Sequence, residues 1–242
     1  MTSAESAHIG LTCPSDHPVF SLVGELLVDH GHDVTFFDPN SSIDHSELAR
    51  LTLFVSKRTR LASVRALVAA ERLGVPTWNS ATGVMACVSR FSQLCVLSGV
   101  GFAVPDASRE KPSGDYVAKG LYHWEFEPEV NGEGEVYEEL LPADPVDYKY
   151  YVIDDGFTTH TTVIRATSKL WGEKRILGES VPVSTMVNRI VSLMKLLEMR
   201  GIGVDLVRVD DGWYAVDLNP CPSFRGTDME RALVDSIEAC LD

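Results

Sequence analysis

Two aspartates and one asparagine near the end of the chain have the residue types and spacing of a metal site. Asp205 lies in an apolar run at 204–209, and Asp217 and Asn219 lie in and just after a second run at 213–218. Side chains two residues apart on a strand point to the same face, so Asp217 and Asn219 share one. Carboxylate and amide oxygens are the ligands that hard cations prefer.

The segment between the two runs predicts how they pair. Residues 210–212, Asp-Asp-Gly, predict a hairpin with a three-residue loop in which Gly212 takes the left-handed conformation. This loop places Asp205 directly opposite Asp217. The same register pairs Val207 with Ala215 and Val209 with Trp213.

Facing carboxylates need a cation between them. Like charges opposite each other destabilise a sheet, and one carboxylate must otherwise stay protonated. Mg²⁺ removes both costs when phosphate oxygens complete its shell. On this reasoning Asp217→Asn should keep or raise the stability of the metal-free protein. The alternative is a register shifted by one residue, in which Asp205 and Asp217 only cap strand ends.

The first 80 residues alternate strands and helices. Short apolar runs at 9–12, 34–37, 51–55 and 75–78 have the length of strands, and helical periods occupy 18–29 and 61–72. Strand-helix order at this spacing predicts a parallel α/β domain over 1–80. One helix is then expected over about 80–98.

The second part of the chain is mostly antiparallel in its pattern. Short β runs at 116–119, 136–141, 148–153 and 158–165 precede the proposed hairpin, with helices expected over about 182–199 and 227–240. We therefore expect a second domain over 81–242, with a minimal lid subdomain near 112–140.

The motif around the proposed metal site resembles a known family. The runs 203–208 and 215–220, Gly-Val-Asp-Leu-Val-Arg and Ala-Val-Asp-Leu-Asn-Pro, resemble the metal signature of ATP-grasp ligases, most closely the RimK-type branch and its amino-acid ligase relatives. That family usually has Glu where Asp217 stands. The resemblance implies an ATP-grasp half with ATP and Mg²⁺ bound at Asp205, Asp217 and Asn219, Mn²⁺ being an alternative metal.

Other segments extend the resemblance and imply nucleotide contacts. Arg90 stands where the family has a phosphate-binding Lys, and Lys119 matches the Lys on the next strand of the ATP site. Only about eighteen residues separate Lys119 from Glu138, so the lid is reduced. Residues 136–141 resemble the strand that holds adenine and ribose in the family, which implies such contacts for Glu138, Glu139, Leu140 and Leu141. Residues 147–150 resemble the Asp-x-Arg strand that follows, with Asp147 at its Asp and Lys149 at its Arg.

The same resemblance implies residues at the reacting end. Arg165 would line it together with one of Lys169, Lys174 or Arg175, and of these three Lys174 is expected to be catalytic. Arg225 is placed to meet a substrate carboxylate. Lys57 and Arg58 follow a strand of the first domain and can either hold an anionic substrate or be solvated.

The implied reaction is an ATP-dependent condensation of a carboxylate with an amine through an acyl phosphate. The substrates would be small molecules or peptides. Two alternatives remain open: a small-molecule kinase on the same scaffold, and a non-catalytic nucleotide-binding protein with a shortened lid.

Composition narrows the class of protein. The net charge of −14 argues against a nucleic-acid surface, and no apolar stretch approaches the roughly 20 residues that span a membrane. The polar start, residues 1–8, lacks the layout of a signal peptide, and the five cysteines form no CxxC pattern. We therefore expect a cytoplasmic protein; a homo-oligomer is left open.

Overall fold

The computed structural model describes residues 6–122 and 126–241. The start of the expected first domain (1–5), part of the expected lid (123–125) and residue 242 lie outside the described residues. No helix within the described ranges combines the length and the apolar composition needed to cross a membrane.

The N-terminal part is the parallel α/β layer that the strand-helix alternation predicts. Four strands pair in the order β2-β1-β3-β4, all parallel. Because helices cover the sheet, β3 is buried along its whole length, as its run of apolar residues requires. The strands are β1 (His8–Thr12), β2 (Asp33–Phe37), β3 (Leu53–Ser56) and β4 (Thr77–Trp78), and the helices are α1 (Phe20–Asp29), α2 (His45–Leu48) and α3 (Leu61–Arg72).

The helix expected over 80–98 is wrong as a single element, because it is broken in two. The structure has α4 (Ala81–Ala86) and α5 (Arg90–Gly99). At the break, the Arg90 N–H donates to the Leu121 carbonyl at 2.9 Å, and Ser89 forms an isolated bridge with Tyr122. These tertiary contacts replace helical hydrogen bonds, so Arg90 becomes the first residue of α5.

The second half is built on an antiparallel sheet of five strands. Their order is β11-β10-β9-β12-β13, and β12 and β13 form the predicted hairpin at its edge. One face of this sheet packs against α6 (Ser184–Leu196) in a core that includes Tyr150 and Val204. The strands are β9 (Val146–Asp154), β10 (Thr159–Thr167), β11 (Ile176–Ser180), β12 (Gly201–Val209) and β13 (Gly212–Asn219).

A small third sheet stands where the lid was expected. Its strands pair in the order β5-β8-β6-β7. Between β6 and β8, the part of the chain that the structure describes holds one further strand, the two-residue β7, so this lid is reduced as predicted. The strands are β5 (Ala107–Ser108), β6 (Tyr116–Lys119), β7 (Glu129–Val130) and β8 (Val136–Glu139).

The last helix, α7 (Glu230–Glu238), returns to the N-terminal layer. Leu233 and Ile237 of α7 belong to the same hydrophobic core as β1 and α1. Trp78, fully buried, donates from Nε1 to Ser236 at 3.0 Å and lies against Gly201, where a Cβ atom would come within 2.4 Å of its ring. The end of the chain therefore holds the two halves together, while a division at residues 80 and 81 stays a prediction.

Candidate functional site

The β12–β13 hairpin places Asp205 directly opposite Asp217, as predicted. The rest of the predicted register is wrong, because the loop has two residues, and Asp210, not Gly212, takes a positive φ of 50°. A bulge at Val216 then shifts the pairing back by one residue. The pairs beyond the bulge are Leu206–Ala215, Val207–Tyr214, Arg208–Trp213 and Val209–Gly212.

Each of the two facing carboxylates is paired with a cation. Lys149 lies opposite Asp205 in the neighbouring strand β9, and its Nζ donates to Asp205 Oδ2. Arg90, at the start of α5, donates from a terminal guanidinium nitrogen to Asp217 Oδ1. The repulsion expected between the aspartates is thus offset by two basic side chains from other elements.

A third ion pair, in which both side chains are buried, lies beside the hairpin. Lys119 Nζ donates to Glu138 Oε2 at 2.6 Å and to the carbonyl of the bulged Val216 at 3.0 Å. The two side chains are 7% and 3% exposed, respectively. Because an ammonium group has three donors, Lys119 keeps one for a further acceptor.

These groups line one cleft of about 710 Å³ between the small sheet and the antiparallel sheet. The cleft is also lined by Lys57 and Arg58, which follow β3, and by Cys221 and Pro222, which follow β13. Of the predicted site residues, the cleft is lined by Arg90, Lys119, Glu138, Glu139, Leu140, Leu141, Asp147, Lys149, Lys174, Asp205, Asp217 and Asn219.

Comparison with solved structures decides the fold. Neither a protein-family model nor a curated protein matches the sequence. The ligase PsnB, described as an ATP-grasp ligase in complex with a phosphomimetic variant of its minimal precursor, Mg and ADP, superposes with a TM-score of 0.70 at 18% identity, over 98% of this chain and 99% of that one. The chain has the ATP-grasp fold.

Two further structures with this fold match over nearly the whole chain. A RimK-domain ATP-grasp protein from Sphaerobacter thermophilus gives a TM-score of 0.70 at 14% identity, over 96% of this chain and all (100%) of that one. The macrocyclase MdnC of Microcystis aeruginosa, bound to the precursor peptide MdnA, gives 0.68 at 12% identity, over 95% and 98%. The ATP-grasp resemblance read from the motifs is therefore confirmed at the level of the fold.

Two predicted residues are not among those that line the ATP-grasp cleft. Arg165 pairs with Tyr148 in the β9–β10 ladder, on the face opposite Lys149, and its Nε is buried without a hydrogen-bond partner among the described residues. Arg225 is exposed just after Phe224. The catalytic roles given to Arg165 and Arg225 stay predictions.

The basic residues after β10 differ from one another in position. Lys169 and Lys174 line the cleft, whereas Arg175 is exposed, with an ion pair to Glu173 at 3.5 Å. Lys169 contacts Glu127 at 2.8 Å. Burial, followed by the positive charge of Lys149, lowers the pKa of Lys174. Two of the three candidates, Lys169 and Lys174, therefore line the cleft, and the catalytic role given to Lys174 stays a prediction.

Burial and neighbouring charges shift the pKa values of Asp147 and Lys149 on β9. Burial alone would lower the pKa of Lys149, but the carboxylate of Asp205, with Asp147 at 3.8 Å, raises it above the usual lysine range. Burial raises the pKa of Asp147. The positive charge of Lys149 partly opposes this increase, and the negative charge of Asp205 adds to it. Lys149 thus carries a full positive charge at neutral pH.

Asp205, Asp217 and Asn219 are chemically suited to hold Mg²⁺. Asn219 Oδ1 accepts a hydrogen bond from the Cys221 N–H at 2.9 Å, which turns the amide oxygen in a fixed direction and leaves it one lone pair. The two carboxylates are about a quarter exposed, at 25% and 27%, and so remain accessible. All three side chains offer hard oxygen donors on one face of a hairpin.

Asn79 holds both ends of this hairpin through hydrogen bonds to their backbone. The sequence analysis gave this residue no role. It is 1% exposed, with a φ of 66°, and its amide nitrogen donates to the carbonyls of Gly201 and Pro220 at 2.7 and 2.8 Å. Its Oδ1 accepts from the N–H groups of Arg200 and Gly201 at 2.7 and 3.0 Å. The residue therefore ties the start of β12 to the residue after Asn219. The sequence feature that could have pointed to this role is an Asn directly after the apolar run at 75–78.

Proposed function

We propose that this chain is an ATP- and Mg²⁺-dependent ligase that joins a carboxylate to an amine. The observation that carries the proposal is the cleft in which the Asp205–Asp217 pair lies among Arg90, Lys119 and Lys149. A site with two ligand carboxylates and three cations has the groups that binding a polyphosphate with a divalent metal requires.

The phosphate groups of ATP would be bound by the three cations. Lys119 keeps one free donor after its contacts with Glu138 and Val216. Lys149 and Arg90 likewise have more N–H donors than their carboxylate partners use. Because all three side chains are at most 12% exposed, hydrogen bonds to phosphate would be stronger here than in water.

Asp205, Asp217 and Asn219 would hold Mg²⁺, which neutralises phosphate charge when it is bound. In the structure described here, Lys149 and Arg90 balance the same two carboxylates. A metal held by these aspartates would take over the charge balance, and Lys149 and Arg90 would then be able to contact phosphate oxygens.

The reaction balances without any further reactant. A substrate carboxylate oxygen attacks the γ-phosphorus of ATP, the bond to the β–γ bridging oxygen breaks, and ADP leaves. The amine nitrogen then attacks the acyl carbon of the acyl phosphate, phosphate leaves, and the nitrogen loses a proton. Lys119, Arg90 and Lys149 would stabilise the charge that builds up on the transferred phosphoryl group.

The solved structures with this fold agree with the proposal. PsnB has been crystallised with Mg, ADP and a precursor, and in another complex with AMPPNP and the peptide PsnA2. MdnC is named a macrocyclase and was bound to its precursor peptide. Peptides as well as small molecules are therefore reasonable classes of carboxylate and amine substrate for this chain.

The test is ADP formation over a panel of acids, acidic peptides and amines with Mg-ATP. A ligase needs both substrates for ADP release and gives an amide with free phosphate. A product that keeps the phosphoryl group on a hydroxyl would establish the kinase alternative instead. Binding of Mg-ATP with no turnover on any pair would favour the non-catalytic alternative.

A further inference from the structure

Two basic residues lie at the carboxyl end of β3, outside the group assigned to ATP. Lys57 and Arg58 directly follow Ser56, the last residue of that strand, where ligands gather in open parallel sheets. Lys57 is only 5% exposed. The solvated alternative left open by the sequence is therefore wrong for Lys57.

Within residues 6–122 and 126–241, neither residue has an acidic partner. Among the residues that the structure describes, no carboxylate oxygen lies within 4.0 Å of a side-chain nitrogen of Lys57 or Arg58. Lys57 Nζ donates to the neutral carbonyl of Cys221 at 2.6 Å and lies 5.7 Å from the ring centre of Phe20. Arg58 Nε is buried without any hydrogen-bond partner in the described chain.

This lack of compensation is unusual in a chain with a net charge of −14. The cations assigned to phosphate behave differently, since Arg90, Lys119 and Lys149 each have a carboxylate partner. A buried charge without a partner costs free energy, so a fold that keeps one has a reason to do so. The missing negative charge is expected to come from a ligand.

The neighbouring groups respond to this positive field. Burial, then Lys57, Arg225 and Arg58, lower the pKa of His17 to about 4. Burial lowers the pKa of Lys57 itself to about 8, and Arg58 and Arg225 contribute to the shift. His17 is therefore neutral at physiological pH, and its Nδ1 accepts hydrogen bonds from the backbone at the start of α1.

The two residues open into the cleft already described. Lys57 and Arg58 line it together with Asn219 and Cys221. Cys221 joins the two regions, because its carbonyl accepts from Lys57 and its N–H donates to Asn219 Oδ1 at 2.9 Å. A substrate lying in this cleft can thus reach the proposed metal ligands with one end and Lys57 and Arg58 with the other.

We propose that Lys57 and Arg58 form a subsite for a second carboxylate of the acid substrate, one that is held and not activated. The inference rests on the proposed ligase function and narrows its substrate to a diacid or an acidic peptide. Arg58 supplies the planar donors that bind a carboxylate through two hydrogen bonds, and Lys57 supplies a point charge beside them. Binding of the anion supplies the negative charge that the two cations lack among the described residues.

The test is the shift in melting temperature that an anion causes, with neither ATP nor Mg²⁺ present. Glutarate and tetraglutamate are the carboxylate probes, inorganic phosphate is the competing anion, and sodium chloride at matched ionic strength is the reference. The variants are Lys57→Met and Arg58→Gln. The matched control is Arg72→Gln, which removes the same charge from an exposed position at the end of α3.

Wild type and Arg72→Gln should gain stability with glutarate or tetraglutamate, and both subsite variants should lose at least about tenfold in apparent affinity, the effect of one charged hydrogen bond. A response to glutarate assigns a small diacid, and a response to tetraglutamate alone assigns a peptide. Equal responses in Arg58→Gln and wild type, or stabilisation by phosphate alone, would overturn the subsite.

Titration with Mg-ATP separates this subsite from the proposed function. If the subsite is correct, Arg58→Gln, which leaves the hydrogen bond from Lys57 to Cys221 in place, binds Mg-ATP as tightly as wild type does. If wild type fails to bind Mg-ATP but still responds to glutarate, the ligase proposal fails and the anion site stands. If Arg58→Gln weakens Mg-ATP binding and not glutarate binding, the subsite belongs to the nucleotide and the inference is wrong.

Discussion

Arg90 and Asp217, 127 residues apart in the chain, form an ion pair in the wall of the cleft. From the sequence, Arg90 was predicted to bind phosphate and Asp217 to bind the metal, whereas in the structure the two side chains contact each other. The Arg90 side chain is only 6% exposed, so the carboxylate of Asp217 offsets the cost of burying its charge. The pair therefore links the proposed metal site to the stability of the fold.

Asp217→Asn should abolish Mg²⁺-dependent turnover and also destabilise the metal-free protein. The structure reverses the sign of the stability expected from the sequence, because the loss of Arg90's partner outweighs the relief of repulsion with Asp205. We expect a loss of about 1.5–3 kcal/mol in the free energy of unfolding. Urea denaturation without metal measures it.

The double variant Arg90→Met/Asp217→Asn is the control for that effect. Removing both charges should recover most of the stability and none of the turnover. If the single variant is as stable as wild type, the ion pair contributes nothing to the fold.

Lys119→Met should weaken ATP binding by about tenfold to a hundredfold, the worth of a charged hydrogen bond. It also leaves Glu138 buried without its cation. Lys119→Met/Glu138→Gln separates the two effects, since the second change relieves the buried charge but cannot replace the phosphate contact. Calorimetric titration with AMPPNP is the measurement. Recovery of full affinity in the double variant would show that Lys119 only holds Glu138.

Asn79→Ala should reduce both stability and turnover, although Asn79 is not among the residues that line the cleft. Four hydrogen bonds to backbone groups are lost, and some of those groups are left buried without partners. The expected cost is about 2–4 kcal/mol, from a net value near 1 kcal/mol per bond. Ser80→Ala is the neighbouring control, because its hydroxyl accepts from the Gly83 N–H in α4 and donates to the Leu197 carbonyl just after α6, so neither bond reaches the hairpin. Unchanged kcat in a folded Asn79→Ala protein would contradict a positioning role.

The lowered pKa of Lys57 predicts how the stability of the protein depends on pH. Because its pKa falls from 10.5 unfolded to about 8 in the fold, the unfolded chain binds more protons between these values. Wild type should therefore gain stability relative to Lys57→Met as the pH rises through that window. The charged and titratable groups that act on Lys57 are Arg58, Arg225, Cys13 and Cys221. Urea denaturation of both proteins at about pH 7 and about pH 9.5 tests this, and a constant difference between them would contradict it.

The hairpin shows how far the sequence could lead. Asp205 opposite Asp217 was predicted from a three-residue loop, but the loop has two residues, and the bulge at Val216 cancels the difference. A bulge has no strong local sequence signal, so the correct pair was reached through two compensating errors. The face of the ligands was predictable because strand alternation is a local property.

The charge pairs of the cleft were not predictable from local patterns. Lys149–Asp205 and Arg90–Asp217 join elements 56 and 127 residues apart, and their contacts follow from sheet order and from the break before α5. The same break depends on Leu121 and Tyr122, which no helical pattern reveals. The four strands of the first 80 residues and the helices α1 and α3, by contrast, followed their hydrophobic periods, whereas the one-turn helix α2 was not predicted.

The central claim is that Asp205, Asp217 and Asn219 bind a metal that ATP needs. Titration of AMPPNP into wild type and into Asp205→Asn, each with Mg²⁺ and with EDTA, tests it most directly. We predict that Mg²⁺ tightens binding to wild type by at least about tenfold, about 1.4 kcal/mol, and that this gain is lost in Asp205→Asn. Equal affinity with and without Mg²⁺ in wild type, or an unchanged gain in the variant, would contradict the account.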